Sequence, residues 1–369
     1  MIQKIAFYAP LKSPNDPHPS GDREIARLLM RALAKAGFDV TLASQVKSYQ
    51  KRADPDLYAR RYNEVEVEKA RIRESWLQDP QMRPDLWFTY HPYCKSPDWL
   101  GPYFSREFGV PYATAEAART AQDSDADWEK GRLATREAVK AAAINFVLKD
   151  SDWAYLESFM PDMRSAKRLA PFLDLSVQPD KARQCPSLFE NDDPVLMTAG
   201  MMRPGKKLQC YESLAASLLA IGHDRWNLVV AGDGPERDTI EELLSFIAPE
   251  RLKLLGNVEH QMMFDLMDRS DIFVWPGIRE PIGMVYLEAQ SRGAPVVALD
   301  NVGVPAVVDN GQTGLLAKDN QGMAAALRRL LADPSLRRSL GNAGAAYVRE
   351  RHDVAAAATT LGKAIRDLG

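Results

Sequence analysis

Cysteine is scarce in this chain of 369 residues: Cys94, Cys185 and Cys210 are odd in number, far apart and without metal-ligand spacing. That excludes a disulfide framework, and the three are expected as reduced thiols of a cytoplasmic protein. No stretch approaches the length and apolarity of a membrane span. The opening Met1-Ile-Gln-Lys-Ile-Ala-Phe-Tyr-Ala lacks the apolar core of a signal peptide and reads as a first strand. Nor is there an excess of charge: 47 Lys and Arg against 50 Asp and Glu leave −3, which gives no footprint for nucleic acid. No solenoid period recurs. No Gly-x-Gly-x-x-Gly follows the first strand, which disfavours a Rossmann dehydrogenase.

What is present is an alternation of apolar runs with helix-periodic segments, the pattern of α/β architecture with parallel sheets. Strands are expected at Lys4–Ala9, Val40–Ala43, Leu86–Thr89, Tyr112–Ala115 and Ile144–Leu148, then again at Val195–Ala199, Trp226–Ala231, Leu252–Leu255, Ile272–Trp275 and Val296–Leu299. Between the first two, Glu24–Ala36 carries Ile25, Leu28, Leu29, Ala32 and Leu33 at helical spacing and ends at Gly37. Length favours two domains. They are expected over residues 1–180 and 194–352, joined by a polar, aperiodic linker at 181–193, with a final helix at 353–369 packing back on the first. Lys47–Leu77 mixes Tyr49, Tyr58, Tyr62 and Trp76 with bases and with Glu64, Glu66, Glu68 and Glu74. It reads as a solvated helical excursion of alternating charge, the alternatives being an acceptor groove or a peripheral membrane contact.

Chemistry concentrates from Ser270 to Pro295. A strand ending in Trp275-Pro276 is followed by Glu280-Pro-Ile-Gly283-Met-Val-Tyr-Leu-Glu288, two carboxylates around the glycine where strand gives way to helix. A helix opening at Gly283, Met284 and Val285 offers free N–H groups and a positive dipole end to a phosphate, with Glu280 and Glu288 on either side for hydroxyls. Upstream, Gly200-Met-Met-Arg-Pro-Gly-Lys-Lys207 is a glycine-bracketed turn with three cations, either a diphosphate clamp or a basic surface turn. Gly232-Asp-Gly-Pro235 is a tight turn and a weak dinucleotide signal. The proline-stiffened loop Pro14–Asp22 follows the first strand, where α/β proteins place ligands. Gly21 would admit a ligand to the backbone, and Ser20 or Asp22 would cap the helix.

These pieces resemble the retaining nucleotide-sugar glycosyltransferases of the GT-B class, the large group 1 or family four set with a Glu-x7-Glu signature. Glu280 to Glu288 matches that signature. Ala289-Gln-Ser-Arg-Gly-Ala-Pro295-Val-Val297, Gly303-Val-Pro-Ala-Val-Val308 and Asn310–Leu316 follow in the family's order. The resemblance spans nearly the whole chain and is strongest over 195–348.

It implies two Rossmann-like domains facing across a cleft and transfer of a sugar from a nucleotide-diphosphate sugar with retention of configuration. The acceptor, whether sugar, glycan or lipid, and the oligomeric state stay open. By resemblance Glu280 bonds the donor sugar, Glu288 the ribose, the N–H groups at Gly283, Met284 and Val285 the diphosphate, and Val258 lies beside the base. The family's phosphate arginine is replaced by Met201, so Lys206 assisted by Arg203, with Gly200 and Lys207 beside them, is expected to complete the clamp. Arg83-Pro-Asp-Leu-Trp-Phe-Thr-Tyr-His91 resembles the family strand ending in histidine and makes His91 a cleft residue. Gly109-Val-Pro-Tyr-Ala-Thr-Ala-Glu116 ends in Glu116 where the family often has another histidine. Glu116 is then a substrate contact, as Asp22 would be, or a helix-capping acid. Asp123-Ser-Asp-Ala-Asp127 and Asp150-Ser-Asp152 show an acid-x-acid pattern but precede helical segments, where acids suit the dipole, and no metal or other cofactor is expected. An epimerase or phosphorylase on the same fold, and a silent nucleotide-sugar-binding protein, are the competing readings.

Overall fold

In the first half, apolar runs too short for helices become parallel strands; those inside the sheet are buried on both faces and read as nearly unbroken hydrophobic sequence, whereas the edge strand Asp39–Ser44 is only partly buried. They are β1 (Lys4–Tyr8), β2 (Asp39–Ser44), β3 (Leu86–Tyr90), β4 (Tyr112–Ala115) and β5 (Ile144–Val147), with a three-residue edge strand β6 (Ala166–Arg168) that the sequence pattern did not announce. The sheet order is β2-β1-β3-β4-β5-β6, all parallel. The helices between them are α1 (Gly21–Lys35), α2 (Pro55–Gln78), α3 (Gly101–Phe108), α4 (Glu129–Ala141) and α5 (Asp150–Glu157). Ser20 caps α1 by accepting from the Arg23 N–H.

The computed structural model describes residues 2–18, 20–117, 128–180 and 188–369. They form two units, Met1–Ala170 with Val354–Gly369, and Pro171–Asp353. The second unit carries β7 (Val195–Ala199), β8 (Asn227–Ala231), β9 (Leu252–Leu254), β10 (Ile272–Val274), β11 (Val296–Leu299) and β12 (Gly314–Ala317), in the order β12-β11-β10-β7-β8-β9. Its helices are α6 (Lys206–Ala220), α7 (Arg237–Leu243), α8 (His260–Asp268), α9 (Met284–Ser291), α10 (Asn320–Ala332) and α11 (Pro334–Arg351). The last helix, α12 (Val354–Arg366), belongs to the first unit, where it packs on α1 and buries Leu361 and Ile365.

The division at 170/171 lies ahead of the boundary expected after residue 180. The intervening segment buries Phe172 and Leu173, and its backbone and polar end are bonded within the second unit. Leu173 N–H donates to His352 O at 2.8 Å, the Ser291 hydroxyl to Gln178 at 3.1 Å, and Arg292 to Pro179 O at 2.8 Å. Of the expected linker, 181–187 lie outside the described residues. The rest is fastened to the second unit by buried Phe189 and by Asn191, which exchanges side-chain hydrogen bonds with Asn227.

Each sheet reverses its strand order once, between β1 and β3 in the first unit and between β7 and β10 in the second. Connections leave a strand pair in opposite directions at such a point, which opens a crevice beyond the carboxyl ends of the strands where α/β folds bind ligands.

α2 carries most of the charged excursion. Val65, Ile72 and Trp76 are buried, and the bases meet acids on the surface, Arg61 with Glu64 and Arg71 with Glu68 at 2.7 Å each, and Arg73 with Glu107 at 2.9 Å. No helix among the described residues is long and apolar enough to cross a membrane.

Candidate functional site

At the reversal point of the second unit, β7 runs into Gly200. A Cβ there would stand 2.7 Å from the Trp275 ring, so the backbone passes close over that indole. Tyr211 fixes the turn by donating to Gly200 O at 2.7 Å. Gly205, with φ +80°, then starts α6. Successive helical residues point about 100° apart, so Lys206 and Lys207 diverge. Lys206 is exposed, whereas the half-buried Lys207 places Nζ 2.7 Å from Glu280 Oε2 and 5.3 Å from the centre of the Trp275 ring. Arg203 and Met201 are exposed on the same turn.

Across the reversal, β10 leads through Trp275 and Pro276 into a loop with two left-handed positions, Gly277 at φ +70° and Arg279 at φ +52°. The loop is tied down by a bond from Ile278 N–H to the Cys210 sulfur at 3.3 Å and by one from Glu280 N–H to Gly277 O at 3.1 Å. Burial pushes the Cys210 thiol up, so it serves here as a neutral acceptor. Gly303 abuts the loop so closely that a Cβ would lie 2.3 Å from Glu280 O. Gly283 at φ +73° is the N-cap of α9, and no side chain caps the helix. The first-turn residues Met284 and Val285 are half-buried, and this end of the helix offers N–H groups to an anion. Glu288, one turn on, has Oε1 3.3 Å from Nε2 of His260, two residues past the half-buried Val258.

The second unit thus gathers Gly200, Arg203, Lys206, Lys207, Val258, Glu280, Gly283, Met284, Val285 and Glu288 around the carboxyl ends of β7, β9 and β10. Lys207 and Glu280 were both expected but not as a pair, and two participants were missed in the sequence, the indole of Trp275 under the glycine turn and His260 on Glu288. Adjacent lysines give no hint of which faces inward, and the exposed His260 carries no pattern.

The first unit has its own cluster at its reversal point. Gly21 is the first residue of α1, with no atom within 4 Å of where a Cβ would stand, and Asp22 follows it. Asp22 Oδ1 lies 3.3 Å from His91 Nδ1, off the line of a good hydrogen bond. Burial works to raise the Asp22 carboxyl, but the contact with His91 and the field of Lys149 overcome it and hold the group below its ordinary value.

His91 and Glu116 end neighbouring strands, β3 and β4, and both adopt left-handed backbone, at φ +57° and +55°. Glu116 is only 3% exposed. The Tyr90 hydroxyl donates to its Oε2 at 3.1 Å, and Lys149, just past β5, bonds its Oε1. Lys149 also lies 3.3 Å from Asp152. Burial opposes the lysine's charge, yet Glu116 and Asp152 keep its ammonium above the usual range. Burial, with Glu116 adding to it, pushes the Asp152 carboxyl up. Neither Tyr90 nor Lys149 was singled out from sequence.

Asp150 and Asp152, read together as an acid-x-acid pair, turn apart: Asp150 meets Arg168 at 2.6 Å while Asp152 faces Lys149. Asp123–Asp127 and Cys185 lie outside the described residues, and Cys94 and Cys210 are buried thiols.

Residues 181–347 match the family model described as glycosyl transferases group 1. The chain is 29% identical over 248 residues to alpha-D-kanosaminyltransferase of Streptomyces kanamyceticus, a match covering 64% of each protein. It spans less than two thirds of the length of the curated relatives it matches. Sucrose-phosphate synthase from Thermosynechococcus elongatus superposes with a TM-score of 0.73 at 21% identity over 99% of both chains. Anabaena HepE, solved in complex with UDP, gives 0.69 at 15% identity over 99% of this chain and all of that one. Residues 181–347 are therefore similar to the glycosyl transferases group 1 family, in a chain with the two-domain GT-B fold.

Proposed function

We propose that this protein transfers a sugar from a nucleoside diphosphate sugar to an acceptor hydroxyl, with retention of anomeric configuration. The observation that carries the reading is the arrangement of Glu280 and Glu288 about the uncapped N-terminus of α9, with Lys207 bonded to Glu280 at the carboxyl end of β10. In this reading the diphosphate sits against the N–H groups of Gly283, Met284 and Val285, and the close-packed turn at Gly200 lets backbone approach it. Lys207, with Arg203 and Lys206 from the same turn, faces the growing negative charge on the leaving phosphate, the stabilisation that usually dominates catalysis of this type. Glu280, freed from part of its bond to Lys207, accepts hydrogen bonds from the donor sugar. Glu288 does the same for the ribose, and Val258 lies beside the base.

Positive charge supplied by side chains and a helix end makes a divalent cation unnecessary in this scheme. Retention follows the Glu-x7-Glu resemblance: the bond from the sugar to the diphosphate breaks, the acceptor oxygen bonds from the face the leaving group vacates, and the acceptor proton passes to an oxygen of the departing phosphate. His91, Asp22 and Glu116 of the first unit are assigned to substrate hydroxyls.

The test is calorimetric titration with nucleoside diphosphates, UDP first because the Anabaena neighbour was solved with it. Mass spectrometry of acceptor mixtures with matched donors then reads transfer, and proton NMR of the product reads the anomeric configuration. Failure of every nucleoside diphosphate to bind sinks the donor site. Binding followed by release of an epimer, or by no transfer, replaces the transferase reading with one of its two competitors.

A further inference from the structure

Among the described residues, three that are not glycine hold left-handed backbone, and two of them, His91 and Glu116, are neighbours in the first unit's cluster. Such conformations cost free energy and persist where a site requires the side chain they aim. The same spot sets a half-buried lysine, Lys149, between two buried carboxylates, Glu116 and Asp152. Buried ion pairs contribute little net stability compared with well-packed apolar residues, so stability alone does not account for the group. Its location does: Glu116 and Lys149 end adjacent strands, β4 and β5, on the edge where His91 and Asp22 also stand.

An ionised carboxylate accepts about four hydrogen bonds. Tyr90 occupies one position on Oε2 and Lys149 one on Oε1, which leaves capacity on both oxygens. Lys149 is itself braced from the other side by Asp152. The lysine is thus engaged by two carboxylates, Glu116 and Asp152.

We propose that Lys149 is a positioning residue for sugar transfer, which holds Glu116 as an anionic acceptor for a hydroxyl group of the substrate. The inference rests on the transferase reading. It assigns Glu116 a chemistry distinct from that of the histidine usual at this position in the resembling family, because a carboxylate only accepts hydrogen bonds whereas an imidazole can also donate one.

The experiment compares wild type with Lys149→Met, Lys149→Arg and Glu116→Gln in steady-state transfer assays, beside calorimetric binding of the nucleoside diphosphate. Lys149→Met and Glu116→Gln are expected to lower kcat about tenfold or more, the size of one lost charge-assisted hydrogen bond. Nucleoside diphosphate affinity should stay within about twofold, since that site is built by the other unit. Lys149→Arg should recover most of the lost kcat, which a purely structural role in packing would not produce. If Lys149→Met fails to fold, Glu116→Gln, with the same shape and no charge, decides the matter. Wild-type kcat and KM in folded Glu116→Gln or Lys149→Met overturn the proposal while leaving the transferase reading intact. Absence of transfer by wild type overturns both.

Discussion

Lys207 Nζ stands 2.7 Å from Glu280 Oε2 and over the ring of Trp275, while its neighbour Lys206 faces solvent. In the proposed reading the lysine that works with Glu280 is Lys207, one residue after the expected Lys206. Lys207→Met should lower kcat/KM by about ten- to a hundred-fold, the loss of a charge-assisted bond of about 1.5–3 kcal/mol. Lys206→Met should change it by no more than about threefold, as expected for an exposed charge. Equal effects, or a larger one at Lys206, would return the clamp to the earlier residue.

The two glutamates should separate kinetically. Glu288 lies within α9 against His260, and Glu280 on the loop before that helix, paired with Lys207 of α6. In the proposed reading Glu288→Ala weakens nucleoside diphosphate binding by roughly tenfold, measured by calorimetry, through lost bonds to the ribose. Glu280→Ala leaves that affinity nearly unchanged and lowers kcat, because its partner is the sugar undergoing reaction. A mutant pair with the two effects exchanged would reverse the assignment.

Much of this architecture was legible because buried parallel strands advertise themselves: Val195–Ala199 and Tyr112–Ala115 fold over the residues their apolar runs mark. The strands missed lack that signal. Ala166–Arg168 is a three-residue edge strand with exposed Lys167 and Arg168. Gly314–Ala317 sits inside a segment valued for its turn, and only pairing with β11 makes it a strand. At the sites, residues with a local motif, such as Glu280, Gly283 and Glu288, were readable. Lys149 and Tyr90 were not, since their partner Glu116 lies 33 and 26 residues away and only the strand order brings the three together. The fastening of Gln178 and Pro179 to Ser291 and Arg292 was invisible for the same reason, which is why the domain boundary was expected too late.

If cations of the chain neutralise the leaving diphosphate, chelation should matter little. Transfer measured in excess EDTA is expected to stay within about twofold of the rate with magnesium, because Lys207 and the α9 terminus do the work a Lewis acid would otherwise do. Loss of activity in EDTA, restored by a divalent ion, would show that the positive charge proposed here is insufficient.

Gly283 offers a test of the helix tip that removes no charged group. Its φ of +73° disfavours any side chain, and a Cβ would lie 2.6 Å from the Tyr286 ring. Gly283→Ala should destabilise the protein by about 1–2 kcal/mol from backbone alone, with more from the displaced tyrosine. Nucleoside diphosphate affinity should fall with it, as the N–H groups shift. Urea unfolding with and without the nucleotide separates the two effects, and full retention of both quantities would mean that the tip is neither strained nor used.

The last expectation concerns pH and the joint of the second unit. His352 ends α11 with Nδ1 2.6 Å from Pro171 O, while Nε2 is buried with no hydrogen-bond partner among the described residues. Nδ1–H therefore donates to the carbonyl, and a second proton on Nε2 would have nothing to bond. Burial lowers the imidazole below its ordinary 6.5, Arg351 adds to this, and the Pro171 bond only partly opposes it. The unfolded chain then takes up the proton first as pH falls. Its contribution to stability is intact above about pH 6.5 and is lost progressively below it, down to the depressed folded value. Urea midpoints recorded from about pH 8 to about pH 5 should fall with acid in the wild type. His352→Asn keeps a donor for Pro171 but cannot be protonated, so it should start lower and fall less steeply over that window. Parallel curves for the two proteins would mean that His352 is not the group that titrates.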